Sequence, residues 1–403
     1  MNLVKKAVLF YKQEGFRNTI CRIFKKCFEI AKRIPMMLKE ITIKDICISN
    51  LSKQALGKRV FILIPCIDWE IPLFQRPHQM AVELAKREAT LVLFISDQYR
   101  YDNFAGYEQI QEDLFLFSHR MISCLNTVLK GATEVVVIMS WMRQAHLLQQ
   151  FRYHKFVYEY IDDMSLFYYH TPEMEAKHYH LMAEADLTVC TAKALYDKAA
   201  PYAKKTILSP NAGDYDFFHG NRNCKVNQML SGKMEESACV IGYYGCLASW
   251  FDYDLILEVA RRKLNWYFAF VGYCFDGTAE RLMQANRTNI AYIPAQPYSS
   301  LPSFVAAFDI QCIPFVINDI TRATSPVKLY EYMASGKPIL TSELPECMNY
   351  RSVWTYKNAD DFICKAEQLM QLRNDAAFLA EMDAEARENT WAARVDVILQ
   401  HIS

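Results

Sequence analysis

The sequence predicts an α/β fold with two open parallel sheets, and three observations carry that prediction. From Lys58 onward, short apolar runs of strand length alternate with amphipathic stretches of helix length. That alternation builds parallel sheets with helices on both faces. After a polar connector over 214–238, the same alternation restarts at Val240. Finally, a short, nearly apolar helix with clear caps follows the last long strand and leads straight into Ile339-Leu340. With 403 residues, about half of them hydrophobic, the chain is long enough for two or three packed domains.

Residues 1–45 stand apart as a basic helical arm. Residues 1–40 carry ten Lys or Arg against three Glu, a net charge of +7. Leu3, Ala7 and Phe10 form one apolar stripe at helical spacing, and Phe16, Ile20, Ile23, Cys27 and Ala31 form another. A basic amphipathic helix pair suits an anionic membrane surface. It equally suits a helical hairpin packed on the protein with its basic face solvated.

The first domain is expected over 58–213. Val60–Ile64, Leu91–Ile95, Val135–Met139, Phe156–Ile161 and Leu187–Cys190 are its buried strands, and one helix is expected from about Pro77 to Arg87. Ligands of such sheets sit at the carboxyl ends of the strands, and three loops occupy that edge. The first contains Trp69, Arg76, Pro77 and His78. The second is Asp162-Asp163, directly after a strand. The third is Ser209-Pro210-Asn211-Ala212. Adjacent residues on an extended chain point to opposite faces. One of the two aspartates can therefore face the cleft as a general base while the other binds backbone or a cation. Asp163, deeper in the loop, is the favoured base, and Asp162 the favoured structural acid.

The second domain is expected over 239–385. Its first strand, Val240–Tyr244, runs into Gly245, where backbone N–H groups can approach a phosphate. Trp266–Val271, Asn289–Ile293 and Ile310–Phe315 follow as strands, with Tyr298 in a loop at one strand end, placed to stack on a base or merely to pack. The repeated pattern makes each half Rossmann-like. The tail over 386–403 is helical.

The capped helix is the most informative stretch. Ser325 is its expected N-cap, Pro326 its first residue, and Gly336 its left-handed C-cap. Its polar residues Lys328, Glu331 and Ser335 share one face. Lys328 lies in the first turn, where the helix dipole disfavours a cation. An anion docked on the free N–H groups resolves that conflict, so Lys328 points to a phosphate and Glu331, one turn on, to a vicinal diol. The bland reading is an internal Lys328–Glu331 ion pair.

The run Ser325-Pro-Val-Lys-Leu-Tyr-Glu-Tyr-Met-Ala-Ser-Gly-Lys-Pro-Ile339 resembles the nucleotide-sugar motif of GT-B-fold glycosyltransferases, in particular the family-1/family-4-like bacterial enzymes of cell-surface polysaccharide synthesis, teichuronic-acid type. Trp69 with Arg76-Pro77-His78 resembles the first loop of that group, Pro210-Asn211 its interdomain passage, and Trp391–Arg394 its returning terminal helix. The likeness spans roughly 58–400. It implies GT-B architecture, two Rossmann-like domains facing a cleft. It also implies a donor site of Gly245, Tyr298, Ser325, Lys328 and Glu331, with Lys328 on the diphosphate and Glu331 on the ribose. Many relatives carry a further glutamate eight residues before this one; that position is Ala323 here.

Several function classes fall away. A net charge of zero excludes general nucleic-acid binding. The thirteen cysteines are scattered without a Cys-x-x-Cys, as in a cytoplasmic protein. Asp-Tyr-Asp occurs at 214–216 and 252–254, once in the connector and once at a helix start where acids suit the dipole, so no metal is expected. The expected protein is a cytoplasmic, membrane-peripheral glycosyltransferase. It needs no cofactor beyond its nucleotide-sugar donor, and its acceptor is a glycan or lipid-linked sugar. A sugar-nucleotide epimerase and a catalytically silent scaffold subunit are the other readings.

Overall fold

A computed structural model describes residue 35, residues 38–71, 74–96, 102, 104–166 and 170–402. Most of the basic arm, with both of its expected apolar stripes, lies outside the described residues.

The first sheet has eight strands in the order β3-β4-β2-β1-β5-β6-β7-β8. These are β1 (Arg59–Ile64), β2 (Thr90–Ser96), β3 (Tyr107–Gln111), β4 (Leu114–Ser118), β5 (Glu134–Met139), β6 (Lys155–Tyr160), β7 (Leu187–Cys190) and β8 (Thr206–Leu208). All neighbours are parallel except β3, which pairs antiparallel with β4 at the edge. The second sheet runs β11-β10-β9-β12-β13-β14 and is wholly parallel. Its strands are β9 (Cys239–Tyr244), β10 (Trp266–Gly272), β11 (Ile290–Pro294), β12 (Ile310–Ile313), β13 (Ile339–Ser342) and β14 (Val353–Tyr356). Every residue of β2, β9 and β10 is buried, because helices cover both faces of each sheet. The strands read from sequence are all present; the β3–β4 hairpin, β8 and β14 are additional.

The described part of the arm is a helix over 38–55 that packs on the first domain. Cys47, Leu51 and Ala55 are buried there. Glu40 anchors its start, accepting from Arg120 Nε at 2.6 Å and from the Gly106 N–H at 3.1 Å. The boundary expected at residue 45 therefore falls inside a docked helix. At the other end of the chain, the helix Trp391–Ile402 returns to the first domain. Trp391, Val395, Ile398 and Ile402 enter a core shared with Phe61, Val92 and Val136, each burial worth about 1.5–3 kcal/mol.

The two carboxyl edges face each other. The loop after β1 reaches the loop after β11 through Phe74 and Tyr298, ring centroids 6.1 Å apart. Past β7, the Lys193 N–H donates to Glu346, beyond β13, at 2.7 Å. Past β8, Asn211 donates its backbone N–H to Ser325 Oγ at 3.1 Å and its Nδ2 to Ser325 O at 2.7 Å.

Arg76 sits at the centre of this crossing. The sequence places it in a cleft loop; the structure buries it in the first turn of the helix Arg76–Ala85. Its Nε donates to Glu159 at 2.8 Å, and Nη1 donates to the carbonyls of Ser209 and Pro210 at 3.2 and 3.1 Å. Arg394 of the last helix donates to the same Pro210 carbonyl at 3.0 Å. Removing Arg76 strands the buried Glu159 carboxylate. Arg76→Ala should thus lose about 3–5 kcal/mol in urea unfolding. The pair replacement Arg76→Met with Glu159→Leu should lose much less, because no charge is left unpaired.

Candidate active site

The helix that the sequence singles out runs Val327–Ser335, with Pro326 as its N-cap and Gly336 as a left-handed C-cap at φ 71°. Ser325 therefore lies one residue before the cap expected of it. Its hydroxyl takes the Asn211 N–H and meets Tyr330 Oη at 3.1 Å. Ser325 thus ties the helix start to the interdomain crossing. Ser335, the third polar residue of the stripe, is also structural, taking a hydrogen bond from Gln311 Nε2 at 2.9 Å.

Lys328 and Glu331 remain, and they do not pair with each other. The Lys328 ammonium lies 5.3 Å from the Tyr243 ring centroid and 5.2 Å from that of Phe315, with no hydrogen bond or ion pair among the described residues. Burial lowers its pKa, and the charge of Glu331 pulls it partly back. Glu331 is 4% exposed. Its two oxygens accept from Tyr244 Oη and Tyr298 Oη, each at 2.8 Å. Burial raises its pKa; the two tyrosines and Lys328 oppose that rise. Tyr298 thus holds Glu331 and stacks on Phe217, centroids 5.2 Å apart at 18°. Packing, the second of the two roles open to it from sequence, is the one it fills here.

Gly245 follows β9 and lies against Lys328. At φ 137°, it adopts a conformation that side chains avoid, and a Cβ there would meet Lys328 Cε at 2.7 Å. Gly272 is its necessary neighbour, because a Cβ there would stand 1.7 Å from the Gly245 carbonyl oxygen. An unpaired ammonium, a bare glycine turn and the free N–H groups of a nine-residue helix therefore converge. That combination has the chemistry to hold an anion.

On the first domain, the structure places the two aspartates differently from the sequence expectation. Asp163 is 7% exposed. Its Oδ1 accepts from Ser165 Oγ at 2.7 Å and the Ser165 N–H at 3.1 Å, while Oδ2 pairs with Lys198. Burial works to raise its pKa, but the bonds from Lys198 and Ser165 prevail and hold it low. Asp162 is the carboxylate open to water. Desolvation by the surrounding protein raises its pKa, and the Asp163 charge adds to the rise. Its charge also reaches Cys66 beyond β1, which burial already pushes up to about 11. Asp162 thus lies exposed just past the end of β6, at the carboxyl edge of the sheet.

His78 does not present a free polar group. His78 is fully buried; its Nδ1 accepts from the Gln75 N–H at 3.0 Å and its Nε2 meets Trp69 O at 3.1 Å. Burial lowers its pKa to about 4. Trp69 packs edge-on against Phe94, Phe74 and His78. Together they shape the loop after β1. Both Asp-Tyr-Asp sequences prove to be helix caps. Asp214 accepts from the Phe217 N–H and Asp252 from the Leu255 N–H. Among the described residues, no group of three His, Cys, Asp or Glu is placed to hold a metal ion. Sequence reasoning missed Tyr243, Tyr244 and Phe315. The aromatic pair directly before Gly245, alternating in the pleat, was the available signal.

This fold is the GT-B architecture of glycosyltransferases. The chain superposes on sucrose-phosphate synthase from Thermosynechococcus elongatus with a TM-score of 0.62, at 11% identity over 85% of this chain and 98% of that one. The Anabaena protein HepE, in complex with UDP and glucose, gives 0.60 at 11% identity over 85% and 99%. Trehalose 6-phosphate synthase from Burkholderia multivorans gives 0.60 at 10% identity over 86% and 98%. By sequence, the chain is 24% identical over 222 residues to a Bacillus subtilis protein named as a teichuronic acid biosynthesis glycosyltransferase, a match spanning 52% of this chain and 55% of that one. No protein-family model matches.

The aspartate pair makes a testable contrast. The folded pKa of Asp163 is depressed, so its stabilisation is present above the unfolded value of about 3.9 and fades as pH falls through the folded value. The folded pKa of Asp162 is raised, so its contribution is lost as pH rises. At pH 7, Asp163→Asn should cost about 1.5–3 kcal/mol, and Asp162→Asn should be neutral or stabilising. Urea unfolding toward about pH 2 should shrink the deficit of Asp163→Asn.

Proposed function

We propose that this chain transfers a sugar from a nucleotide-diphosphate donor to a glycan or lipid-linked acceptor in cell-surface polysaccharide synthesis, without a metal ion. The observation that carries the reading is the unpaired Lys328 ammonium beside Gly245, at the N-terminus of the Val327–Ser335 helix. A leaving diphosphate docked there gains a cation, backbone donors and a helix dipole, which is the charge stabilisation the transfer needs. Glu331 is prepositioned by two tyrosines one turn deeper, within reach of a ribose. The Anabaena neighbour held with UDP and glucose makes UDP the first probe.

In this reading Asp162 takes the acceptor proton. It is the exposed carboxylate of the pair, at the carboxyl edge of the sheet, and its raised pKa brings it closer to that task. A second reading, a catalytically silent donor-binding subunit, is favoured by Ala323. That residue is 4% exposed and packs into the first-domain core, so the further glutamate of many relatives has no counterpart.

The basic arm would hold the enzyme on the cytoplasmic face of an anionic membrane. In support, its described helix leaves Leu38 and Ile41 exposed next to Lys39 and Lys44. No helix among the described residues is long and apolar enough to cross a membrane.

Calorimetry with UDP and uridine tests the donor site. Lys328→Ala should weaken UDP by about 1.5–3 kcal/mol and leave uridine nearly unchanged, whereas Glu331→Ala should weaken both. An undiminished UDP affinity in folded Lys328→Ala overturns the diphosphate role.

Turnover tests the base. Asp162→Asn should retain UDP affinity and lose roughly 100-fold or more in transfer. Full turnover in this variant points to a retaining route, and UDP binding with no turnover in the wild type points to the silent subunit.

Flotation with phosphatidylserine vesicles tests the arm. Full-length protein should float and be released by salt, and a chain beginning at Pro35, which keeps only Lys39 of the ten cations in residues 1–40, should float markedly less. That start spares the docked helix and its Glu40 anchor, so equal flotation of both rejects the membrane role.

A further inference from the structure

A second concavity lies on the first domain, outside the donor site. It has a volume of about 350 Å³ and lies between the carboxyl end of β6, the helix Pro172–Glu184 and the helix Lys193–Ala199. That is within the usual range for small-molecule sites. Tyr179 and Tyr202 stack on one wall with centroids 4.1 Å apart, and Tyr202 is 49% exposed. His178 lines another wall and is only 3% exposed. Its Nδ1 lies 2.8 Å from Tyr158 Oη, and its Nε2 has no partner. Tyr158 satisfies its hydroxyl by donating to Nδ1, which leaves the proton on Nε2. Burial lowers the His178 pKa to about 4, so the ring is a neutral donor at neutral pH. A buried donor with no acceptor is costly unless a ligand supplies one.

The charges of the lining select among ligands. Asp163, Glu175 and Asp197 contribute carboxylates, and the one ammonium, Lys198, is already paired to Asp163. An acidic lining repels phosphate. Aromatic faces, acceptor carboxylates and a neutral donor suit an uncharged ring rich in hydroxyl groups. The position suits an acceptor. Asp163 on this lining directly follows Asp162, and the helix carrying Lys198 begins at Lys193, which touches Glu346 of the second domain.

We propose that this cavity is a subsite for a neutral sugar unit of the acceptor. The inference rests on the transferase reading above and names where its acceptor is held. Saturation-transfer NMR on the full chain tests it with cellobiose, maltose, lactose and diacetylchitobiose, and with glucose 1-phosphate as the anionic control. At least one disaccharide should bind the wild type and should bind better than glucose 1-phosphate. Tyr202→Ala, at an exposed position that the fold tolerates, and His178→Phe should each weaken it at least tenfold, with UDP affinity kept within twofold. The subsite is overturned if no disaccharide binds the wild type, if glucose 1-phosphate binds best, or if Tyr202→Ala binds as the wild type does. Failure of UDP itself to bind defeats the donor reading instead, so the two outcomes are distinct.

Discussion

The structure depends on one buried cation. Arg76 lies between Glu159 and the carbonyls of Ser209 and Pro210, and Arg394 holds the Pro210 carbonyl from the other side. These bonds pin the chain where it leaves the first sheet. Asn211, the next residue, then holds Ser325 through its backbone N–H and its side chain. Ser325 leads into the helix whose first turn carries Lys328. The position of the Lys328 helix relative to the first domain is thus set by a short relay of charge-assisted and backbone hydrogen bonds. Such bonds are directional and strong when shielded from water.

The same shielding governs the chemistry. Lys328 and Glu331 are pushed in opposite directions by burial, the ammonium down and the carboxyl up, so each is eager for a counter-group. Glu331 has two tyrosine hydroxyls; among the described residues, Lys328 has only the faces of two aromatic rings. That asymmetry distinguishes a positioned carboxylate from a waiting cation. It also explains why Gly245 is bare, since a methyl group there would collide with the lysine stem.

Across the cleft, two adjacent carboxylates differ for a similar reason. Asp163 turns toward Ser165 and Lys198 and stays ionised, whereas Asp162 is exposed and holds its proton more tightly. Backbone alternation at a strand end separates them, and Asp163 then contributes one wall of the second cavity. The placement joins the exposed Asp162 carboxylate and an aromatic concavity through a single peptide unit.

By itself, the sequence determined the two parallel sheets, because fully buried strands must be continuous apolar runs, and such runs stand out between amphipathic helices. It also determined the helix ending at Gly336 and the anomaly of Lys328, because caps and dipoles are local physics. Tertiary structure decided the rest. Ser325 looked like a cap and became a tether, Arg76 and His78 were expected in a cleft loop and became buried supports, and Asp163, expected to face the cleft, is the buried and paired member of the two aspartates. The edge hairpin Tyr107–Ser118 was not read from its short runs. In each case the deciding partner is far along the chain: Asn211 for Ser325, Glu159 for Arg76, Lys198 for Asp163. Side-chain periodicity reports which face of an element is buried. It carries no information about which distant polar group will meet it there, and that meeting sets the charge, tautomer and availability of every residue in the site.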